Sequence, residues 1–272
     1  MSELIGLIPA AGLAKRLAPL PGSKEMFPVG FKAGTYDGQI GPCPKPVSEY
    51  VLERMRDAGA RRAYIVLSHA KWDLIRYYGN GDPVGVHLAY LYVEESPGMP
   101  YTLNQAYPWL TGRDTTVLFG MPDTIFWPYD AFGQLLSTCR RLRADLVLGV
   151  FPTDQPERFS VVDLDDRGRV RSVMDKPKES ALRNTWGIAC WGSAFTELLH
   201  GSLTGARPSG KEIVLAEVFQ RAVDEGLAVY GQYFEGGTYI DIGVAEDLYE
   251  AVRRFAVFDA PTEECSQQVV GE

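Results

Sequence analysis

A chain of 272 residues, 46% hydrophobic and 23% charged, has the make-up of an ordinary globular protein and the length of one large α/β domain or two small ones. A formal net charge of −8, from 27 basic against 35 acidic residues, argues against a broad nucleic-acid-binding face. No apolar run approaches the roughly 18 residues of a membrane span, no signal-peptide pattern opens the chain, and Cys43, Cys139, Cys190 and Cys265 form no CxxC pair; the expectation is a reduced, cytoplasmic protein with neither a zinc site nor a disulfide framework.

Residues 4–9 are a short apolar run that predicts a buried strand. The run breaks into Ala10-Ala11-Gly12, then Lys15-Arg16, with Lys24 eight residues after Arg16. A strand ending in a small-residue loop lets backbone N–H groups approach a phosphate, and cations on the same loop neutralise it. The same cations could instead be a solvated loop, with Lys24 paired to Glu25 or Glu49. Further strands are predicted at 63–68, 87–93, 115–119 and 145–151. Between them, Val47, Tyr50, Val51, Met55 and Ala58 recur at helical spacing before Gly59, and a second helix is expected over 129–143. The alternation implies a doubly wound, mixed but mostly parallel α/β sheet with helices on both faces, whose ligands bind beyond the carboxyl ends of the strands.

The second half changes character. Residues 159–164 and 170–174 flank Asp165-Asp166-Arg167-Gly168 and predict a hairpin; 186–191 and 239–242 predict strands; 211–225 and 244–258 predict helices. The expectation is one body over 1–258, with a nucleotide-binding half to about residue 150 and a second-substrate half after it, then a flexible tail from Asp259.

Two carboxylates sit at strand ends. Asp123, in Gly120-Met121-Pro122-Asp123-Thr124, and Asp241, in Tyr239-Ile240-Asp241-Ile242-Gly243, could together hold a hard cation such as Mg²⁺ on triphosphate oxygens, or each could cap a following helix or start a turn. Lys176 precedes Pro177, which predicts an extended backbone and a definite aim for an ammonium suited to a phosphate monoester; a solvated surface lysine is the plainer alternative. Gln105 is expected to open a helical stretch, where its amide could read a base edge or simply be solvated. Residues 31–44 are rich in Gly and Pro and read as loop.

In order, these segments resemble the sugar-1-phosphate nucleotidylyltransferases, which include glucose-1-phosphate thymidylyltransferases and UTP–glucose-1-phosphate uridylyltransferases. The resemblance is carried by Gly12-Leu13-Ala14-Lys15-Arg16-Leu17-Ala18-Pro19, Ser23-Lys24-Glu25-Met26-Phe27-Pro28-Val29 and Lys45-Pro46. It continues through Met99-Pro100-Tyr101-Thr102-Leu103-Asn104-Gln105, Pro122-Asp123-Thr124-Ile125-Phe126, Phe159-Ser160-Val161-Val162 with Asp175-Lys176-Pro177, Trp186-Gly187-Ile188 and Tyr239-Ile240-Asp241-Ile242-Gly243. It implies a Rossmann-like fold of the nucleotide-diphospho-sugar transferase type and transfer of a nucleotidyl group, from dTTP or UTP, to a sugar 1-phosphate. It also implies Arg16 and Lys24 on the triphosphate, beside the Ala10-Ala11-Gly12 backbone, and Gln105 on the base. Asp175, Lys176, Trp186 and Gly187 would hold the sugar phosphate, Asp123 and Asp241 would hold Mg²⁺, and oligomers would form. Set against the family pattern, the resemblance implies that residues 31–44 are an added loop near the active site, with a lid as one reading. Ala14, Thr102, Ser160 and Asp175 depart from the family's usual residues. Two other readings stay open: a non-catalytic sensor of nucleotides or sugar nucleotides on the same fold, and a glycosyltransferase on a related fold, for which Asp163-Leu164-Asp165 would be the D-x-D motif although a turn explains it better.

Overall fold

A strand whose alternate residues are both apolar must be covered on both faces, and residues 4–10 become the middle of such a sheet. The computed structural model describes residues 2–12, 14, 16–36, 39–204 and 213–255. Its strands are β1 (Glu3–Ala10), β2 (Pro28–Tyr36), β3 (Gln39–Pro46), β4 (Arg62–Leu67), β5 (His87–Tyr92), β6 (Thr115–Gly120), β7 (Thr124–Trp127), β8 (Leu146–Pro152), β9 (Ser160–Leu164), β10 (Val170–Asp175), β11 (Asn184–Trp191), β12 (Val229–Tyr233) and β13 (Thr238–Asp241). Its helices are α1 (Val47–Asp57), α2 (Trp72–Tyr78), α3 (Met99–Asn104), α4 (Tyr107–Leu110), α5 (Ala131–Leu142), α6 (Ser193–Thr204), α7 (Leu215–Asp224) and α8 (Ala245–Phe255). None is long and apolar enough to cross a membrane.

Seven strands form one sheet in the order β12-β8-β11-β6-β1-β4-β5. All neighbours are parallel except β11, which runs antiparallel to both β8 and β6. The expected mixed, mostly parallel sheet is therefore present. Side-chain alternation assigns the covering layers. Ile5, Leu7, Val117 and Phe119 point to a core completed by α3, α4, α6 and α7, through Leu103, Leu110, Phe195 and Phe219. Ile8, Ala10, Leu118 and Phe151 point to the opposite core, completed by α1, α2 and α5 through Leu52, Met55, Leu74 and Phe132. A third cluster joins Val29, Val47, Ile125, Ile242 and Ala251, tying α8 and β2 to the β7–β13 ribbon.

Several sequence expectations are corrected. Residues 31–36 and 39–44 are strand rather than irregular loop: β2 and β3 pair antiparallel from Pro28↔Pro46 to Tyr36↔Gln39. Among the described residues β3 pairs only with β2, so Pro42, Pro44 and Pro46 sit on an edge strand, where a missing N–H costs no ladder bond. No described residue of this hairpin lines either cavity at the sheet edge. Gln105 follows helix α3 rather than opening one. Lys176 is not extended: its φ is +42°, in the left-handed region, against the usual effect of a following proline. The helix expected from Tyr129 begins at Ala131, and those expected over 211–225 and 244–258 span Leu215–Asp224 and Ala245–Phe255. Residues 211, 212 and 256–258, and the tail from Asp259, lie outside the described residues. Asp165 makes a turn, its Oδ1 accepting from Arg167 N and Arg169 N at 2.8 Å each, so Asp163-Leu164-Asp165 is hairpin structure.

Candidate active site

Because β1, β4 and β6 are parallel, their carboxyl ends share one edge of the sheet, and antiparallel β11 brings its first residues to the same edge. Two adjoining cavities open there. The larger, about 770 Å³, is lined by Ala11 and Gly12 after β1, Ser68 and His69 after β4, Asp123 after β6, and also Arg16, Lys24, Glu94, Ser96 and Thr102. The smaller, about 370 Å³, is lined by Ser160, Asp175, Thr185, Trp186, Leu215 and Tyr239 among others. Arg16, Met99, Met121, Lys176 and Asp241 line both. Two cations and an acid thus stand where the two chambers meet.

The two acids meet through the β7–β13 ribbon. Its register opposes Asp241 to Thr124, and Ile242 N donates to Asp123 O at 3.0 Å, so residues 118 positions apart sit side by side. Neither caps a helix: β7 follows Asp123, and Asp241 ends a strand. Lys24 reaches across to Asp123 as an ion pair, with 17% and 9% of the two side chains exposed. Burial works against the Lys24 ammonium, but Asp123 and then Asp241 outweigh it and hold its pKa above the usual lysine value. Burial and the neighbouring Asp123 push Asp241 up to about 7, against the pull of Lys24 and Arg16. Arg16 converges on the same point: a Cβ added at Gly243 would lie 3.3 Å from an Arg16 guanidinium nitrogen and 3.6 Å from an Asp241 carboxylate oxygen.

The partners expected for Lys24 are otherwise engaged. Glu25 pairs with Lys71 at 2.6 Å, and Glu49 with Lys32 at 2.5 Å. Lys15 lies outside the described residues. Ala10 is buried in the sheet, so only Ala11 and Gly12 of that loop line the cleft. Gln105 lines neither cavity, and its amide donates to Tyr101 O at 3.3 Å. The segment's cleft-facing residues are Ser96, Gly98, Met99 and Thr102 instead, with Ser96 Oγ and Thr102 Oγ1 2.6 Å apart.

In the smaller chamber, Ser160 Oγ donates to Asp175 Oδ1 at 2.7 Å. Lys176 N donates to Phe159 O at 3.1 Å, anchoring the left-handed residue that turns its side chain into both chambers. Trp186 and Tyr239 line this chamber together with Ser160, Asp175 and Thr185, so its wall sets aromatic rings beside hydroxyl and carboxylate groups, a lining suited to a polar guest with an apolar face. Gly187 lines no cavity; it backs Tyr239, whose ring leaves no room for a Cβ. Sequence reasoning did not single out Ser68 or His69, although a position just after a parallel strand was the available signal. Met121, directly after β6, carries the same signal, whereas Arg158 carries none and enters only through the folding of distant segments.

No group of three or more His, Cys, Asp or Glu residues could hold a metal among the described residues. Asp123 and Asp241 nevertheless fit a cation that keeps most of its ligands as water or phosphate oxygen, since two adjacent carboxylates, one accepting no hydrogen bond from a described side chain, leave negative charge to neutralise.

A search for relatives finds this chain similar to a low-salt glycan biosynthesis nucleotidyltransferase from Haloferax volcanii, 23% identical over 251 residues covering 90% of this chain and 64% of the relative. It is similar also to a glucose-1-phosphate thymidylyltransferase from Streptomyces antibioticus, 26% identical over 211 residues covering 77% and 57%. The chain therefore spans about three fifths of the length of these curated relatives. In three dimensions it matches a Bacillus anthracis chain described as a glucose-1-phosphate thymidylyltransferase in complex with a sucrose, with a TM-score of 0.79 at 17% identity, over 95% of this chain and 98% of that one. The model of the nucleotidyl transferase family matches residues 5–256. With the sheet, its loaded edge and this near-complete match in agreement, the chain belongs to the nucleotidyl transferase family.

Proposed function

We propose that this protein transfers a nucleotidyl group from a nucleoside triphosphate, dTTP or UTP, to a sugar 1-phosphate, giving a nucleoside diphosphate sugar and pyrophosphate. The observation that carries the reading is the shared wall: Arg16, Lys176 and Asp241 border both the larger chamber, lined also by Ala11, Gly12 and Lys24, and the smaller one, lined also by Ser160 and Asp175. A phosphate monoester is already a nucleophile at neutral pH, so the reaction needs no general base. The difficulty is to bring two polyanions together, and fixed cations remove it.

In this reading the triphosphate lies along Ala11 and Gly12, with Arg16 and Lys24 beside it. Lys176 holds the sugar phosphate in line with the α-phosphorus. A sugar-phosphate oxygen forms a bond to that phosphorus as its bond to the bridging oxygen breaks, and the departing pyrophosphate takes the electron pair. Asp123 and Asp241 would hold Mg²⁺, which supplies charge neutralisation on the phosphate oxygens. Lys24 and Arg16 stabilise the leaving group.

The test is pyrophosphate release in a matrix of common nucleoside triphosphates against hexose, heptose and aminosugar 1-phosphates. Release dependent on both substrates supports the reading; tight nucleotide binding without turnover would mean a sensor, and sugar transfer from a sugar nucleotide without pyrophosphate chemistry would mean a glycosyltransferase. Lys176→Ala should lower kcat/KM for the sugar phosphate by at least about 10-fold while leaving nucleotide affinity nearly unchanged, since the lost charge-assisted contact falls on one substrate. Isothermal titration with nucleotide and steady-state kinetics in sugar phosphate would separate the two. A variant with unchanged kinetics would remove Lys176 from the site.

A further inference from the structure

Lys24 lines the larger chamber from the three-residue turn Lys24–Met26, and the two residues beside it are both held by one short segment. Ser23 is 6% exposed; its N donates to Asp73 Oδ2 at 2.7 Å and its Oγ to Asp73 Oδ1 at 2.5 Å. Glu25 is 1% exposed and pairs at 2.6 Å with Lys71, itself 2% exposed. Ser23 Oγ also approaches Ala70 O at 3.4 Å. The three-residue turn Lys24–Met26 is thus stapled on either side of Lys24 to the segment that leads from β4 into α2. Neither Lys71 nor Asp73 lines a cavity.

We infer that Lys71 and Asp73 are positioning residues for Lys24, gripping Glu25 and Ser23 so that the ammonium between them is aimed across the cleft at the phosphate site. The inference rests on the reading of Lys24 as a triphosphate ligand. A lysine stem has four rotatable carbons, and its head stays in place only if its root does. Asp73 accepts with both carboxylate oxygens from one residue, a fork that fixes orientation as well as distance. Lys71 has a second effect. Glu25 borders the larger chamber but is buried, and burial holds its carboxyl above the usual glutamate value, so loss of Lys71 would favour a protonated Glu25 and free the turn that bears Lys24. Misplacing a reacting group by about 1 Å can cost 10²-fold in rate, so a loosened root should be visible in turnover.

The experiment combines Asp73→Ala with Lys24→Ala in a double-mutant cycle, followed by pyrophosphate release and by nucleotide titration. Asp73→Ala alone should lower kcat by about 10-fold or more, with nucleotide affinity within about threefold of wild type. In the Lys24→Ala background it should cost no more than about twofold further, because the group it positions is gone. Asp73→Asn, which keeps an acceptor for Ser23, should recover most of the rate. Should Asp73→Ala not fold, Ser23→Ala removes a single hydroxyl contact and carries the same cycle. The pair-neutral variant Glu25→Gln/Lys71→Met should show the same coupling to Lys24. Equal losses in both backgrounds, or an unchanged kcat in Asp73→Ala beside an impaired Lys24→Ala, would overturn the positioning role and leave the nucleotidyl reading standing. A Lys24→Ala protein that turns over normally would overturn both.

Discussion

Lys24→Ala and Asp123→Ala are each expected to lower turnover at least about 100-fold, since removing one preorganised group that meets transition-state charge costs about 2.7–4 kcal/mol of barrier. The two substitutions should differ in stability. The pair is largely buried, so each single variant strands its partner, and an unpaired ammonium or carboxylate in such a site is costly. The double variant strands neither and should recover most of the unfolding midpoint, while turnover stays as low as in the worse single variant. Asp123→Asn keeps the shape and an acceptor for Lys24 and should be the best-folded inactive form. Urea unfolding followed by fluorescence gives the first comparison and pyrophosphate release the second. Near-normal release by either alanine variant would refute the assignment of this pair to the phosphate site. A double variant as unstable as the sum of the singles would show that the two side chains do not depend on one another.

Gly187→Ala is expected to damage both stability and activity, although Gly187 touches no cavity. A Cβ there would lie 2.3 and 2.4 Å from two carbons of the Tyr239 ring, well inside any real contact. The ring has little room to retreat, with Phe151 at 5.5 Å and Phe159 at 6.4 Å between centroids. The register of β11 against β8 shifts between Trp186 and Ile188, so the strand is already irregular at the glycine. Over-packing of this kind costs about 1–3 kcal/mol. The functional effect follows from connectivity: Tyr239 stands two residues before Asp241 on β13, and among the described residues β13 pairs only with β7, which begins directly after Asp123. Pushing the ring out should tilt the short ribbon and separate the acids, lowering turnover by about 10-fold or more. Tyr239→Leu added to Gly187→Ala should restore part of the stability by making room. An unchanged midpoint and rate in Gly187→Ala would show that the ring does not press on this strand.

Local chemistry made much of this molecule legible in advance. The apolar alternation of residues 4–10 and 115–119 needs two covering layers, which is why the doubly wound sheet could be read before any coordinates. Small residues after the first strand marked its carboxyl edge, and the Asp123 and Asp241 segments marked two further strand ends. The Pro- and Gly-rich stretch at 31–44 misled for an equally local reason: those residues ordinarily break strands, and only pairing along an unshared edge lets β3 carry three prolines. An amide near a helix suits a base chemically, but no local pattern could show that the Gln105 amide, just past the end of α3, would donate to Tyr101 O.

What the amino-acid order determined by itself was the sheet, its loaded edge and the kinds of charge placed there, because hydrophobic period and loop composition act over a few residues. Which charges face one another was settled only in three dimensions. Lys24 meets Asp123 rather than Glu25, Lys71 takes Glu25, and Asp241 arrives beside Asp123, because strand register and long crossovers, not neighbouring residues, choose partners across gaps of 46 to 118 positions.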